Sequence, residues 1–152
     1  IYYIAPYDAT KIHLPDKSIE ACVSTNTLEH IPKVNIIEIF SELYRKIKDD
    51  GIVSLLIDYS DHYAHTDNNI SLLNYLRFTS HQWKRYNHKF HYQNRLRHYE
   101  YIKIFEKIGF KVINEDLVYA EKNIPRTISD SFKNVSPTWR ATSAHIILKK
   151  AT

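Results

Sequence analysis

A three-layer α/β fold is expected from three observations. The run IVSLLID, residues 52 to 58, is almost continuously apolar, which suits a strand covered on both faces, as in a parallel sheet. Ile36, Phe40, Leu43 and Ile47 recur three or four residues apart, the stripe of an amphipathic helix. A second stripe, Tyr101, Ile104, Phe105 and Ile108, ends at Gly109. Helices that cross between apolar strands place those strands in one sheet and cover it.

The elements follow in order. Residues 1 to 5, IYYIA, have strand composition, and Pro6 stops them because proline cannot continue a central ladder. Residues 11 to 18 read as loop and Ile19 to Ser24 as a second short strand. A helix is expected from Pro32 to Lys48, with proline tolerated at its start and Lys46 and Lys48 near its carbonyl pole. Gly51 then supplies a turn into the 52–58 strand. Residues 59 to 95 are polar, aromatic and histidine-rich, with local helices expected around Ile70–Thr79 and His81–Tyr86. A clearer helix spans about Leu96 to Ile108, a strand spans 110 to 119, and a long connection leads to a last strand at 143 to 150.

The bulk numbers narrow the function. A chain of 152 residues, 43% hydrophobic and 25% charged, suffices for one domain with a core. No run of eighteen apolar residues suggests a membrane span, and no signal-peptide pattern opens the sequence. Cys22 is the single cysteine, which excludes an intrachain disulfide and reads as a reduced, cytoplasmic protein. The net charge of +4 favours anionic ligands but is too small to make a nucleic-acid surface the primary reading. The sequence lacks methionine and opens already strand-like, so the natural domain is expected to start earlier.

Ligands of open parallel sheets sit beyond the carboxyl ends of the strands. Three polar segments are expected to meet there: PYDATKIHLP, STNTLEHIP and DYSDHYAH. Their order and spacing carry a resemblance. Asp8-Ala9, Leu14-Pro15, Ser18-Ile19-Glu20, Leu28-Glu29-His30-Ile31, Arg45-Lys46 and Gly51 follow one another as in the middle of a class I S-adenosylmethionine-dependent methyltransferase. EYIKIFEKIGFKV and TSAHIILKK resemble that family's later helix, strand and closing strand. The resemblance implies an incomplete Rossmann-like methyltransferase sheet, mostly parallel with a C-terminal antiparallel hairpin. Residues 1–152 would form a partial domain, with a helical aromatic insert or lid at 59–95.

The resemblance also exposes what is missing. The family's glycine-rich cofactor loop has no counterpart, because the sequence has only two glycines and no GxG. On the family map residues 1 to 5 are the third strand, the first two are missing, and a position in the sheet is left unfilled. A missing N-terminal segment, a rearrangement or homo-oligomer contacts would fill it. Cofactor binding by these residues alone is expected to be weak or absent.

Roles follow from the same map. Asp8 would accept a hydrogen bond from the adenine amine of S-adenosylmethionine, Ala9 would lie against the ring, and Ile12 and His13 would help cover it. Ser24, Thr25 and Asn26 would line the elbow beside the methionine portion, and Leu28 would pack beside the adenine. For Asp8 and for the elbow residues Ser24, Thr25 and Asn26 the plain alternative is a self-capped turn. The family uses Glu29 and His30 to shape the turn and rim, although His30 has the chemistry of a general base. Asp58 ends a strand, and Tyr59, His62 and His65 follow it toward the acceptor side, where a carboxylate or imidazole could take a hydroxyl proton. His62, His65 and Asp67 have zinc-compatible chemistry, but that spacing is common, and no metal is assigned.

HQWKRYNHKFHYQNRLRHYEY, residues 81 to 101, interleaves bases and aromatics. Arg85, Tyr86, Asn87, Tyr92, Asn94 and Arg95 are its candidate substrate contacts, with an aromatic subdomain packed over the sheet as the structural alternative. Trp139 reads as core or interface. The function expected of the intact protein is methyl transfer to a small-molecule or saccharide acceptor. An RNA methyltransferase and a noncatalytic binding or assembly module are the alternatives.

Overall fold

The computed structural model describes residues 3–133 and 136–151. Strand β1 (Ile19–Thr25) leads through a 3-10 turn (Leu28–His30) to helix α1 (Lys33–Lys46) and strand β2 (Ile47–Asp58). Two 3-10 turns (His62–His65 and Asn74–Arg77) and the one-turn helix α2 (Ser80–Trp83) follow. Helix α3 (His98–Ile108), strand β3 (Phe110–Tyr119) and strand β4 (Ala141–Lys150) complete the order.

The sheet order is β1-β2-β4-β3. β1 and β2 are parallel, whereas β4 runs antiparallel to both β2 and β3. The sheet is therefore not mostly parallel by its pairings. The α3 crossover carries β3 one position past β2, and β4 returns into the gap. β1, β2 and β3 still point the same way, so the carboxyl ends of β1 and β2 lie side by side.

α1 and α3 cover one face. Phe40 and Phe105 meet at 4.6 Å between ring centroids, and Tyr44 meets Phe110 edge-on at 5.1 Å. Ile36, Leu43, Val53, Leu55, Ile57, Tyr101, Ile146 and Leu148 are buried with them. The opposite face carries Val23, Ile52 and Leu56, 70%, 40% and 37% exposed. The described residues thus form two layers rather than three. Only one face of the apolar 52–58 run, that of Val53, Leu55 and Ile57, is covered.

Other expectations shift. Residues 3–5 form no strand, and residues 1–2 lie outside the described residues. α1 stops at Lys46, whose Nζ donates to Leu14 O at 2.6 Å and to Asp16 Oδ1 at 2.9 Å. Gly51 lies within β2, where the pairing jumps from Ile19–Ile47 to Ala21–Ile52. A Cβ on Gly51 would come within 2.6 Å of the Ile47 side chain, so the bulge requires glycine. Gly109 closes α3 at φ 116°, against the Tyr44 ring.

The 59–95 segment has little helix. It holds a second core instead, in which Leu73, Tyr75, Leu76 and Trp83 pack with Phe132, flanked by Phe78, Ile128 and Trp139. Arg97 ties that core to the sheet. Fully buried, it donates from Nη1 to Tyr59 O (2.8 Å) and the Tyr75 hydroxyl (2.6 Å), and from Nη2 to Trp139 O (2.8 Å) and Ala141 O. No helix among the described residues is long and apolar enough to cross a membrane.

Candidate functional site

The site starts where β1 stops. Asn26 adopts a left-handed backbone (φ 47°), a conformation that asparagine tolerates, and its N–H donates to Leu56 O at 2.8 Å. This ends the strand while keeping the elbow on its neighbour. The Leu28–His30 turn is then clamped from the insert: Asn94 Nδ2 donates to Leu28 O and Ile31 O, both at 2.8 Å, and Asn94 N–H to Glu29 O at 2.9 Å.

β2 ends beside it at Asp58. Asp58 Oδ1 accepts the Ser60 N–H at 2.7 Å, and Oδ2 lies 3.4 Å from His62 Nε2 and 3.7 Å from His65 Nε2. His65 Nε2 is also 2.9 Å from Ser60 Oγ. Burial pushes the Asp58 carboxyl up, but His62 and Ser60 together outweigh it and hold it below the usual range. Asp58 in turn raises His62 against its own burial. The contact is electrostatic more than hydrogen-bonded, since buried His62 Nε2 has no partner in hydrogen-bond geometry.

Asn26, Leu56, Asp58, Ser60, His65, Thr142 and Ser143 line one cavity of about 310 Å³ at these strand ends. A larger groove, about 680 Å³, runs between α1 and α3 past Ile37, Tyr44 and Ile104, on the helical layer rather than at the strand ends.

Residues 3–55 match the family described as "Methyltransferase domain". No curated protein sequence matches the chain. Among solved structures, a proposed methyltransferase from Bacillus halodurans is similar with TM-score 0.61 at 14% identity, over 96% of this chain and 76% of that one. An S-adenosylmethionine-dependent methyltransferase from Methanosarcina mazei gives 0.58 at 14% identity, over 95% and 65%. The 1,6-didemethyltoxoflavin-N1-methyltransferase of Burkholderia thailandensis, solved with S-adenosylhomocysteine, gives 0.52 at 10%, over 95% and 48%. This is a class I methyltransferase fold. The chain spans between about half and three quarters of the length of these relatives.

Within the methyltransferase fold the expected site residues separate into two groups. Asn26, Asp58 and His65 share the cavity, and His62 stacks on His65 with ring centroids 5.0 Å apart. Ser24 is half-buried and Thr25 exposed just before the elbow. Asp8 is exposed, and its carboxylate accepts the Thr10 N–H (2.9 Å) and hydroxyl (2.7 Å), with Ala9 inside that turn.

The remaining residues are taken up by structure. Leu28 belongs to the core, so its side chain is not free to pack on a ligand. Tyr59 is 1% exposed, with its hydroxyl 3.3 Å from His98 Nδ1. Arg95 Nη1 donates to Tyr75 O (2.9 Å) and Phe78 O (2.7 Å) while its guanidinium lies over Trp83 and Phe132. Asn94 clamps the turn, and Asn87 Oδ1 accepts the Gln93 N–H at 2.7 Å. Each meets a backbone group or a core contact that would otherwise be lost. Tyr86 tilts against Phe78, Arg85 is exposed, and Tyr92 offers its carbonyl to His30 Nδ1 at 2.8 Å.

Sequence reasoning gave Glu29 only a turn-shaping role. It is 3% exposed, neither carboxylate oxygen has a hydrogen-bond partner, and burial pushes its carboxyl up. No spacing in the sequence reports this, because His62 reaches Glu29 only through the fold.

Proposed function

We propose that the intact protein transfers a methyl group from S-adenosylmethionine to a hydroxyl of a small molecule or saccharide. The observation that carries this reading is the single cavity shared by Asn26 and Asp58 at the carboxyl ends of adjacent parallel strands, the place where open α/β sheets bind ligands. Asp8, Ala9, Ser24, Thr25 and Asn26 are the cofactor side, with the adenine at Asp8. Tyr86, Arg85 and Tyr92 form the insert's contribution to the acceptor side.

S-adenosylmethionine, when bound, supplies an activated methyl on a sulfonium. The chain's own work is positioning and proton removal. His65, half-exposed in the cavity, is the base. Its Nε2 is held against Ser60 Oγ and Asp58 Oδ2, which leaves Nδ1 to accept the acceptor's proton. Asp58 stabilises the imidazolium that results. The sulfonium would leave as a neutral thioether, so no residue would be needed to stabilise the leaving group. Because the sequence has no GxG, these 152 residues alone should bind the cofactor weakly or not at all.

Calorimetric titration of the longer gene product and of these residues with S-adenosylmethionine and S-adenosylhomocysteine tests the reading. Tight binding by the longer form, weakened by Asp8→Ala, supports it. A longer form that carries a glycine loop and binds neither ligand ends it.

A further inference from the structure

We propose that Glu29, His30 and His62 form a site for a divalent transition-metal ion of the zinc class. One ligand atom from each lies within 4.8 Å of the others. Tetrahedral bonds of about 2.0–2.1 Å place ligand atoms about 3.3 Å apart, so side-chain rotation of an ångström or so closes the set.

Three further features point to a cation. Glu29 is 3% exposed and both of its carboxylate oxygens are buried without a partner. A buried carboxylate is costly unless it is paired or coordinates a metal. His62 Nε2 is likewise buried and unpartnered in hydrogen-bond geometry. His30 has Nδ1 at 2.8 Å from Tyr92 O. That contact fixes the tautomer by engaging Nδ1–H and leaves Nε2 free to ligate, the usual outer-shell arrangement for a ligating histidine. The His30 and His62 rings lie 4.9 Å apart.

Two imidazoles and one carboxylate favour zinc and its neighbours over magnesium, which prefers all-oxygen sites and keeps its waters. Three protein ligands leave a position open for water or a ligand oxygen. Asp58 Oδ2, 3.4 Å from His62 Nε2, puts a further negative charge beside the site that offsets the remaining positive charge. This site does not depend on the methyl-transfer reading. Metal binding by a longer form that carries a glycine loop yet binds no cofactor would uphold the one and sink the other.

The test is titration of chelator-stripped protein with Zn²⁺, and with Co²⁺ followed by its visible d–d absorption. One equivalent of Co²⁺ should bind with a spectrum of low coordination number, and Zn²⁺ should displace it and raise Tm. Glu29→Gln, with its fold checked by circular dichroism, and His30→Ala, at an exposed rim position that spares the core, should each weaken binding by at least about 100-fold, at the upper end of what even outer-shell partners cost. His81→Ala, an exposed histidine on α2, should bind as wild type. Binding without a one-equivalent end point, retention of full affinity by His30→Ala, or saturation by Mg²⁺ but not Zn²⁺ would overturn the assignment.

Discussion

Two regions bury charge in this protein and treat it in opposite ways. At the junction of insert and sheet, Arg97 meets four oxygens and Arg95 meets two carbonyls. At the strand ends, Glu29 is as deeply buried and its carboxylate meets none. Most buried polar groups are hydrogen-bonded, so the exceptions need an explanation. The arginines are structure. Glu29 sits instead among imidazoles, beside the cavity.

The largest effect that would test this contrast is at Arg97. Replacing it with methionine keeps the volume but removes all four contacts; Tyr59 O keeps the Tyr75 hydroxyl, while Trp139 O and Ala141 O lose their side-chain donor, at about 1–3 kcal/mol each. A loss of at least about 2 kcal/mol is expected, a sizeable part of a typical stability of about 5–15 kcal/mol. Urea midpoints measure it, and a loss below about 1 kcal/mol would break the contrast.

Alkaline pH attacks the same region. Burial raises the phenols of Tyr59, Tyr75 and Tyr101 above their ordinary value. Their contribution is complete below the unfolded-state pKa of about 10 and falls as pH rises toward the folded-state values. Each phenol can cost up to about 1.4 kcal/mol per pH unit in that window. Stability followed by denaturant midpoints should therefore drop steeply above pH ~10, and Tyr101→Phe should lessen the slope.

Asn94→Ala frees the turn that presents Glu29 and His30. A loss of about 2 kcal/mol is expected from its two carbonyl contacts, together with faster amide exchange over residues 28–31. Unchanged exchange would remove Asn94 from the role of clamp.

Glu29→Gln should act in the opposite direction. Without metal it relieves an unpaired buried carboxylate, so Tm should rise, by the equivalent of about 1 kcal/mol. A clear fall in Tm would mean that Glu29 has a structural partner after all. The smallest effect belongs to the surface. Lys17 and Asp49, 2.7 Å apart but 63% and 66% exposed, should leave Tm unchanged when Lys17 becomes alanine.

Local signals were legible where one stretch of chain carried them. The 3.6-residue stripe of Ile36, Phe40 and Leu43 and the glycine that ends α3 were readable, because helix faces and left-handed caps are properties of neighbouring residues. The elbow at Ser24–Asn26 was readable for the same reason. Gly51 misled, since a glycine that permits a bulge inside β2 and one that ends an element look alike in sequence. Asn94, Arg95 and Tyr59 misled as well. Their chemistry suits a ligand, yet backbone carbonyls and core rings from distant segments claimed them first.

The amino-acid sequence alone determined the two long helices, the strands that follow and precede them and the polar strand ends, because hydrophobic period and turn chemistry act over a few residues. Only the tertiary structure decided that β4 would enter between β2 and β3, that Arg97 would be a strut, and that Glu29 would meet His62 from 33 positions away. Those outcomes depend on which long-range surfaces cover which polar atoms, and no local pattern encodes that choice.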